Sequence, residues 1–197
     1  MASHINRLLE GNARFVEGSP LNVSAHPDLS KGQSPFAIIL SCSDSRVPSE
    51  RIFDADMGEL FVIRVAGNVV APSIVGSVEF ATGAFGTSLV VVMGHTHCGA
   101  VKATIDAVTA TSPLRESMSE NVRDIIDRIA PSITEIARSS ELSESSKLRM
   151  CTHANIRASV NHLKHASRLI ESKVCNGSLV IIGAEYNIES GAVEFLI

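Results

Sequence analysis

Ser88-Leu89-Val90-Val91-Val92-Met93-Gly94-His95-Thr96-His97-Cys98-Gly99 begins as six residues without a charge and ends on side chains that can bind a metal. The β-branched Val90, Val91 and Val92 favour a strand. A short, continuous apolar run suits a strand covered on both faces, hence a parallel one. Two similar runs precede it, Phe36 to Leu40 and Leu60 to Arg64. Between the second and third runs, residues 72–86 carry Ile74, Val75, Val78 and Ala81 at helical spacing, as a crossover helix should, which makes a βαβ unit.

Working outward, residues 119–138 place Ile126, Ile129, Ile133 and Ile136 on one face, and residues 145–171 do the same with Ile156, Val160, Leu163 and Ile170. Both read as long helices, the first kinked or divided at Pro131. Leu179 to Ile182 reads as a fourth strand after the turn signal Asn176-Gly177, and Ala192 to Ile197 alternates like an edge strand. At the other end, residues 4–17 form an amphipathic helix with Ile5, Leu8, Leu9 and Phe15 on one side, and residues 21–35 read as a polar loop or arm. The fold class is α/β, a mainly parallel central sheet flanked by helices with an N-terminal helical arm. Residues 1–35 are the helix and arm, and 36–197 a single α/β domain.

With 197 residues, 45% of them hydrophobic, the chain can bury one sizeable core. Its formal charge is −4, and its 17 Lys and Arg residues are scattered, which excludes the footprint of a nucleic-acid binder and favours a small or neutral substrate. No stretch reaches the roughly 18 apolar residues of a membrane span. Arg7, Glu10 and Arg14 interrupt the N-terminal segment, so it lacks a signal-peptide core, and the expected location is cytoplasmic, or organellar if a targeting segment has been removed. Four cysteines, Cys42, Cys98, Cys151 and Cys175, are too few and too far apart for a disulfide scaffold.

Cys42-Ser43-Asp44-Ser45-Arg46 follows the first strand, and Gly94 to Gly99 follows the third. Both fall at carboxyl ends of parallel strands, where open α/β sheets bind ligands. Two thiols and an imidazole, from Cys42, His95 and Cys98, make the donor set of a catalytic zinc site with its fourth position open. Taken singly, a cysteine at a strand end is an ordinary small apolar residue. A third reading makes Cys42 a nucleophile activated by His95, which leaves Cys98 unexplained.

Together the two segments resemble the β-carbonic anhydrase family. The resemblance continues through residues 47–51, Gly58 to Arg64, Gly67-Asn68, Gly99-Ala100-Val101 and Leu8 to Phe15. It implies that Cys42, His95 and Cys98 ligate one zinc per chain and that Asp44 and Arg46 form a catalytic dyad beside it. It also implies reversible hydration of carbon dioxide to bicarbonate, with zinc-bound hydroxide as nucleophile. Gln33, Phe61, Phe80 and Gly99 match positions that contact substrate or wall its pocket. Ile39 stands where some members have a tryptophan, beside Arg64 and Tyr186, in an inhibitory bicarbonate site, so that site is expected to be absent or weak. The family is built on a dimer, and the chain is expected to be a homodimer or a dimer of dimers. The apolar face of residues 4–17 would then dock on the partner, with Gln33 and the pocket aromatics near the subunit boundary. Two alternatives stay open: hydrolysis of carbon disulfide or carbonyl sulfide on the same site, and a non-catalytic structural-zinc or redox-sensing protein.

Overall fold

Five strands form one sheet, and their order across it differs from their order along the chain. The computed structural model describes residues 2–19, 29–110 and 117–196. Its elements are α1 (Ala2–Glu17), β1 (Ala37–Ser41), α2 (Ser49–Ile52), β2 (Leu60–Arg64), α3 (Pro72–Ala84), β3 (Leu89–His95), α4 (Gly99–Thr109), α5 (Glu120–Arg138), α6 (Glu144–Lys164), α7 (Arg168–Cys175), β4 (Val180–Tyr186) and β5 (Val193–Leu196). Single 3₁₀ turns lie at Leu29–Lys31 and Ala66–Asn68. The sheet runs β2-β1-β3-β4-β5, parallel except for the antiparallel edge strand β5.

That order positions the site. From β1 the chain steps to β2 on one side, then α3 carries it back past β1 to β3 on the other. The direction reverses between β1 and β3, so a crevice opens outside their carboxyl ends. Ser41 pairs with Met93 in register, which levels the two strand ends there.

Every residue of β1 and β3 is buried, as unbroken apolar runs require. Alternate side chains feed the two faces. Ala37, Ile39, Leu89, Val91 and Met93 meet Leu8 of α1 on one side. On the other, Ile38, Leu40, Val90 and Val92 meet Ile74 and Val78 of α3 and Leu163 of α6. A third cluster joins Cys42 and Cys98 to Ile129, Ile133 and Cys151 of α5 and α6.

Several elements differ from the sequence reading. The helix expected over 145–171 is two helices, because Ser167 leaves helical geometry and its hydroxyl accepts from Ile170 N–H, starting α7. α5 runs unbroken through Pro131, whose ring lies on the exposed face, clear of the packed one. Strand β4 continues four residues past Ile182, and β3 runs on to His95, so the imidazole is part of the strand. The short helix α4, buried through Val101, Thr104 and Ile105, was not anticipated. Of the expected arm over 21–35, residues 21–28 lie outside the described residues.

Helix α1 departs most from expectation. Its apolar face docks on its own sheet: Leu8 is fully buried there, with Ile5 and Phe15 packed alongside. Asn12 fixes the contact, donating to the carbonyls of Ile52 and Gly191 and accepting from Val193 N–H. Arg7–Glu59 and Arg14–Asp54 ion pairs flank it.

Glycine sets how closely two helices approach. A Cβ on Gly11 would lie 1.9 Å from the Phe53 carbonyl oxygen, so α1 meets the chain after α2 backbone to backbone. Cβ atoms on Gly94 and Gly183 would lie 2.6 and 2.8 Å from carbons of Ile156, so α6 sinks into a groove that only glycines leave open. Gly11→Ala is therefore expected to cost about 1–3 kcal/mol in urea unfolding, as overpacking does. Gly83→Ala, whose Cβ meets nothing within 4 Å, should be neutral or stabilise by up to about 1 kcal/mol. Equal midpoints for the two variants would contradict this docking of α1.

Candidate metal centre

Cys42 is the first residue past β1, His95 the last of β3, and Cys98 the N-cap of α4. All three are buried. The sheet contributes two of them across neighbouring strands, and a tight turn brings the third. His97 sits in that turn with φ +58°, a left-handed conformation that reverses the chain between His95 and Cys98. Thr96 anchors it: its N–H donates to Tyr186 O at 3.0 Å, and its hydroxyl accepts from Ile188 N–H at 3.0 Å.

The ligand-capable atoms of Cys42, His95 and Cys98 all lie within 4.8 Å of one another. His95 Nδ1 lies 2.8 Å from Thr96 O. A carbonyl only accepts, so Nδ1 carries the proton and Nε2 is left with a lone pair. That buried Nε2 has no hydrogen-bond partner among the described residues. Hydrogen bonding from the Cys98 thiol, helped by the Gly67 and Asp44 backbone, holds Cys42 well below the usual thiol range. The same contact, with burial, pushes Cys98 up. One thiolate and one thiol share a proton because two bare thiolates would repel. A dication would let both ionise and take up the orphaned imidazole nitrogen, so the donor set fits zinc.

Asp44 stands beside this group, Oδ2 lying 3.9 Å from His95 Nε2. Arg46 grips it as a fork, Nε to Oδ1 at 3.0 Å and a terminal nitrogen to Oδ2 at 2.8 Å, while its backbone N–H adds a third bond to Oδ1. The guanidinium hydrogen bonds hold the Asp44 carboxyl well below the ordinary carboxylate range. Arg64, at the end of β2, donates to Cys42 O at 3.2 Å and Asp44 O at 2.7 Å and so pins the backbone between ligand and carboxylate.

The remaining residues singled out from sequence are spread more widely. Gly99 opens α4 directly after Cys98 and is exposed. Gln33 is exposed and precedes β1, so the strand's length, on the order of 15 Å, separates it from its own Cys42. Phe61 pairs with Ile38 in register, four residues short of Cys42. Its ring joins Phe80 and Phe85 in an aromatic group on which Phe80 is 59% exposed. Arg64 and Tyr186 lie on β2 and β4, with β1 and β3 between them, and Ile39 is buried in the core. Cys151 is buried, its thiol pushed up to about 11 by desolvation, and Cys175 is exposed. Sequence reading gave no role to Gly67, whose N–H lies 3.3 Å from Cys42 Sγ, nor to Thr96. The Gly67-Asn68 pair, a turn signal between two apolar runs, was the available clue.

A buried cysteine–histidine–cysteine group at the switch point of a parallel sheet, with a clamped carboxylate beside it, is a donor set that could hold a metal ion in the manner of an α/β metalloenzyme. A family model described as carbonic anhydrase matches residues 37–193. The carbonic anhydrase of Mycolicibacterium smegmatis is 38% identical over 191 residues, covering 95% of this chain and 89% of that protein. Carbonic anhydrase 2 of Mycobacterium tuberculosis is 38% identical over 189 residues, covering 93% and 87%. The solved structure of the β-carbonic anhydrase CcaA matches at a TM-score of 0.77 with 30% identity, covering 98% of each chain. The chain belongs to the β-class carbonic anhydrase family, whose enzymes are carbonate dehydratases.

Proposed function

We propose that the protein catalyses the zinc-dependent, reversible hydration of carbon dioxide to bicarbonate and a proton, with one zinc per chain held by Cys42, His95 and Cys98. The observation that carries this is the 4.8 Å gathering of two buried sulfurs and an unpartnered imidazole nitrogen beside a carboxylate clamped by arginine. Bound there, zinc supplies Lewis acidity, which lowers the pKa of water from about 15.7 toward about 7 and makes a nucleophile available near neutral pH. Two thiolates donate more charge than imidazoles would, so activity is expected to favour mildly alkaline conditions.

The chain's own residues do the positioning. Asp44, kept ionised by Arg46, is an acceptor only, so it fixes the direction of an O–H group presented to it and leaves the lone pair facing substrate. Held in the Arg46 fork, it stays clear of the position substrate needs. A structural zinc would call for a fourth protein ligand. Among the described residues, the ligand-capable group has three members, and Asp44 is engaged by Arg46. The thiol donors suit a reducing compartment, in keeping with a cytoplasmic location.

Purified protein should contain about one zinc per chain and hydrate carbon dioxide in a stopped-flow assay. Cys42→Ser and Cys98→Ser should lose the metal, and Asp44→Ala should keep it while losing most activity, at least about 10-fold. Full zinc in both serine variants, or a fully active Asp44→Ala enzyme, would overturn the assignment. Turnover of carbon disulfide or carbonyl sulfide without hydration of carbon dioxide would redirect it to those substrates.

The reading extends to assembly as a homodimer or a dimer of dimers. Phe80 and its aromatic neighbours leave an apolar group in solvent, and Gln33, Phe61 and Phe80 lie too far from their own centre to wall it. A second copy, placed so that these residues reach its crevice, would cover the patch and complete the pocket. Light scattering should give a dimer or larger, and Phe80→Glu should shift the protein toward monomer with loss of activity while zinc is retained. An active wild-type monomer at micromolar concentration would contradict this.

A further inference from the structure

We infer that Asn155, on α6 and 57 residues beyond the last proposed ligand, is a positioning residue for the metal centre, acting on Cys42 through the Gly67 turn. The inference rests on the reading of Cys42, His95 and Cys98 as a metal site. Asn155 is 2% exposed, and its Nδ2 donates to Gly67 O at 2.9 Å. A carbonyl only accepts, so the amide nitrogen is the atom that faces it. Gly67 in turn points its N–H at Cys42 Sγ, 3.3 Å away. Only the φ and ψ of one residue separate the carbonyl that Asn155 holds from the N–H that Cys42 receives.

Gly67 has φ +68° and Asn68 φ +45°, two consecutive left-handed residues of the types that adopt that conformation most readily, so the turn takes its course from its own residues and is held in place by what packs on it. The turn is closely packed, since a Cβ at Gly67 would lie 2.8 Å from Ile129 Cδ1 and 3.1 Å from Ala100 Cβ. The turn is therefore pressed from one side by α4 and α5 and tied from the other by Asn155. Helix α6 reaches it because Gly94 and Gly183 let Ile156, the next residue, sink onto the sheet. The backbone N–H aimed at Cys42 orients the sulfur's remaining lone pairs, the task of groups surrounding a metal's ligands.

The test compares Asn155→Leu and Asn155→Asp with wild type and with Thr152→Val. Leucine removes the donor, while aspartate keeps the shape but presents an acceptor to the Gly67 carbonyl. Thr152, buried one turn earlier on α6, donates to Leu148 O within its own helix, so its variant perturbs the helix away from the Gly67 turn. Each protein is loaded with cobalt(II), and its thiolate-to-metal charge-transfer band and its zinc affinity by chelator competition are recorded alongside thermal stability. Both Asn155 variants should shift the band and bind zinc about 10- to 100-fold more weakly. Thr152→Val should keep wild-type band and affinity even if it melts earlier. If leucine prevents folding, the near-isosteric aspartate variant decides the matter. Wild-type band and affinity in a folded Asn155 variant would overturn the inference and leave the metal site standing. No charge-transfer band in the wild type would overturn the metal reading, and this inference with it.

Discussion

Two cysteines forced together in a buried pocket govern this structure. Cys42 and Cys98 lie close enough to share a proton, and the His95 Nε2 lone pair beside them has no hydrogen-bond partner among the described residues. In water that arrangement would relax. Here the sheet forbids it, because Cys42 and His95 are fixed to neighbouring parallel strands in register and Cys98 to the start of a packed helix. A divalent cation would resolve the conflict by letting both sulfurs carry charge, which would couple metal binding to fold stability at this point.

The surrounding architecture keeps the pocket small and its contents aligned. The reversal of strand order between β1 and β3 opens the crevice, and glycines decide what can close on it. Gly94 and Gly183 admit α6, Gly67 admits the turn that touches Cys42, and Arg64 and Arg46 fix the segment between the first ligand and Asp44. Each of these contacts joins parts of the chain that are far apart in sequence, except the Asp44–Arg46 fork, which two intervening peptide bonds suffice to build.

Much of this was legible from residues alone. Continuous apolar runs identified β1, β2 and β3; β1 and β3, buried on both faces, leave no polar alternation to confuse the reading, and β2 keeps the run as a half-buried edge strand ending on the exposed Arg64. The pairing of Cys42-x-Asp44-x-Arg46 with His95-x-x-Cys98 singled out residues that the structure brings together. Other features depend on tertiary contact and could not be read. The break between α6 and α7 turns on Ser167 capping a helix in a stretch whose apolar spacing continues across it. The docking of α1 on its own sheet depends on Gly11 meeting Phe53 backbone to backbone, which periodicity cannot express; an amphipathic helix shows that it needs a surface, not which one. The Asn155–Gly67–Cys42 chain is invisible in one dimension because its members lie 88 and 25 residues apart. Gln33 and Phe80 were recognised by position in the chain, yet only the sheet shows that they lie away from their own centre.

The central claim is that the two sulfurs and the imidazole gather one metal and leave a position open. X-ray absorption at the zinc edge, on protein purified without added metal, tests it directly. The expected first shell has two sulfurs at about 2.3 Å and two lighter atoms at about 2.0–2.1 Å, one of them showing the outer scattering of a single imidazole. A shell of four sulfurs, a shell with no sulfur, or protein that carries no zinc would contradict the account.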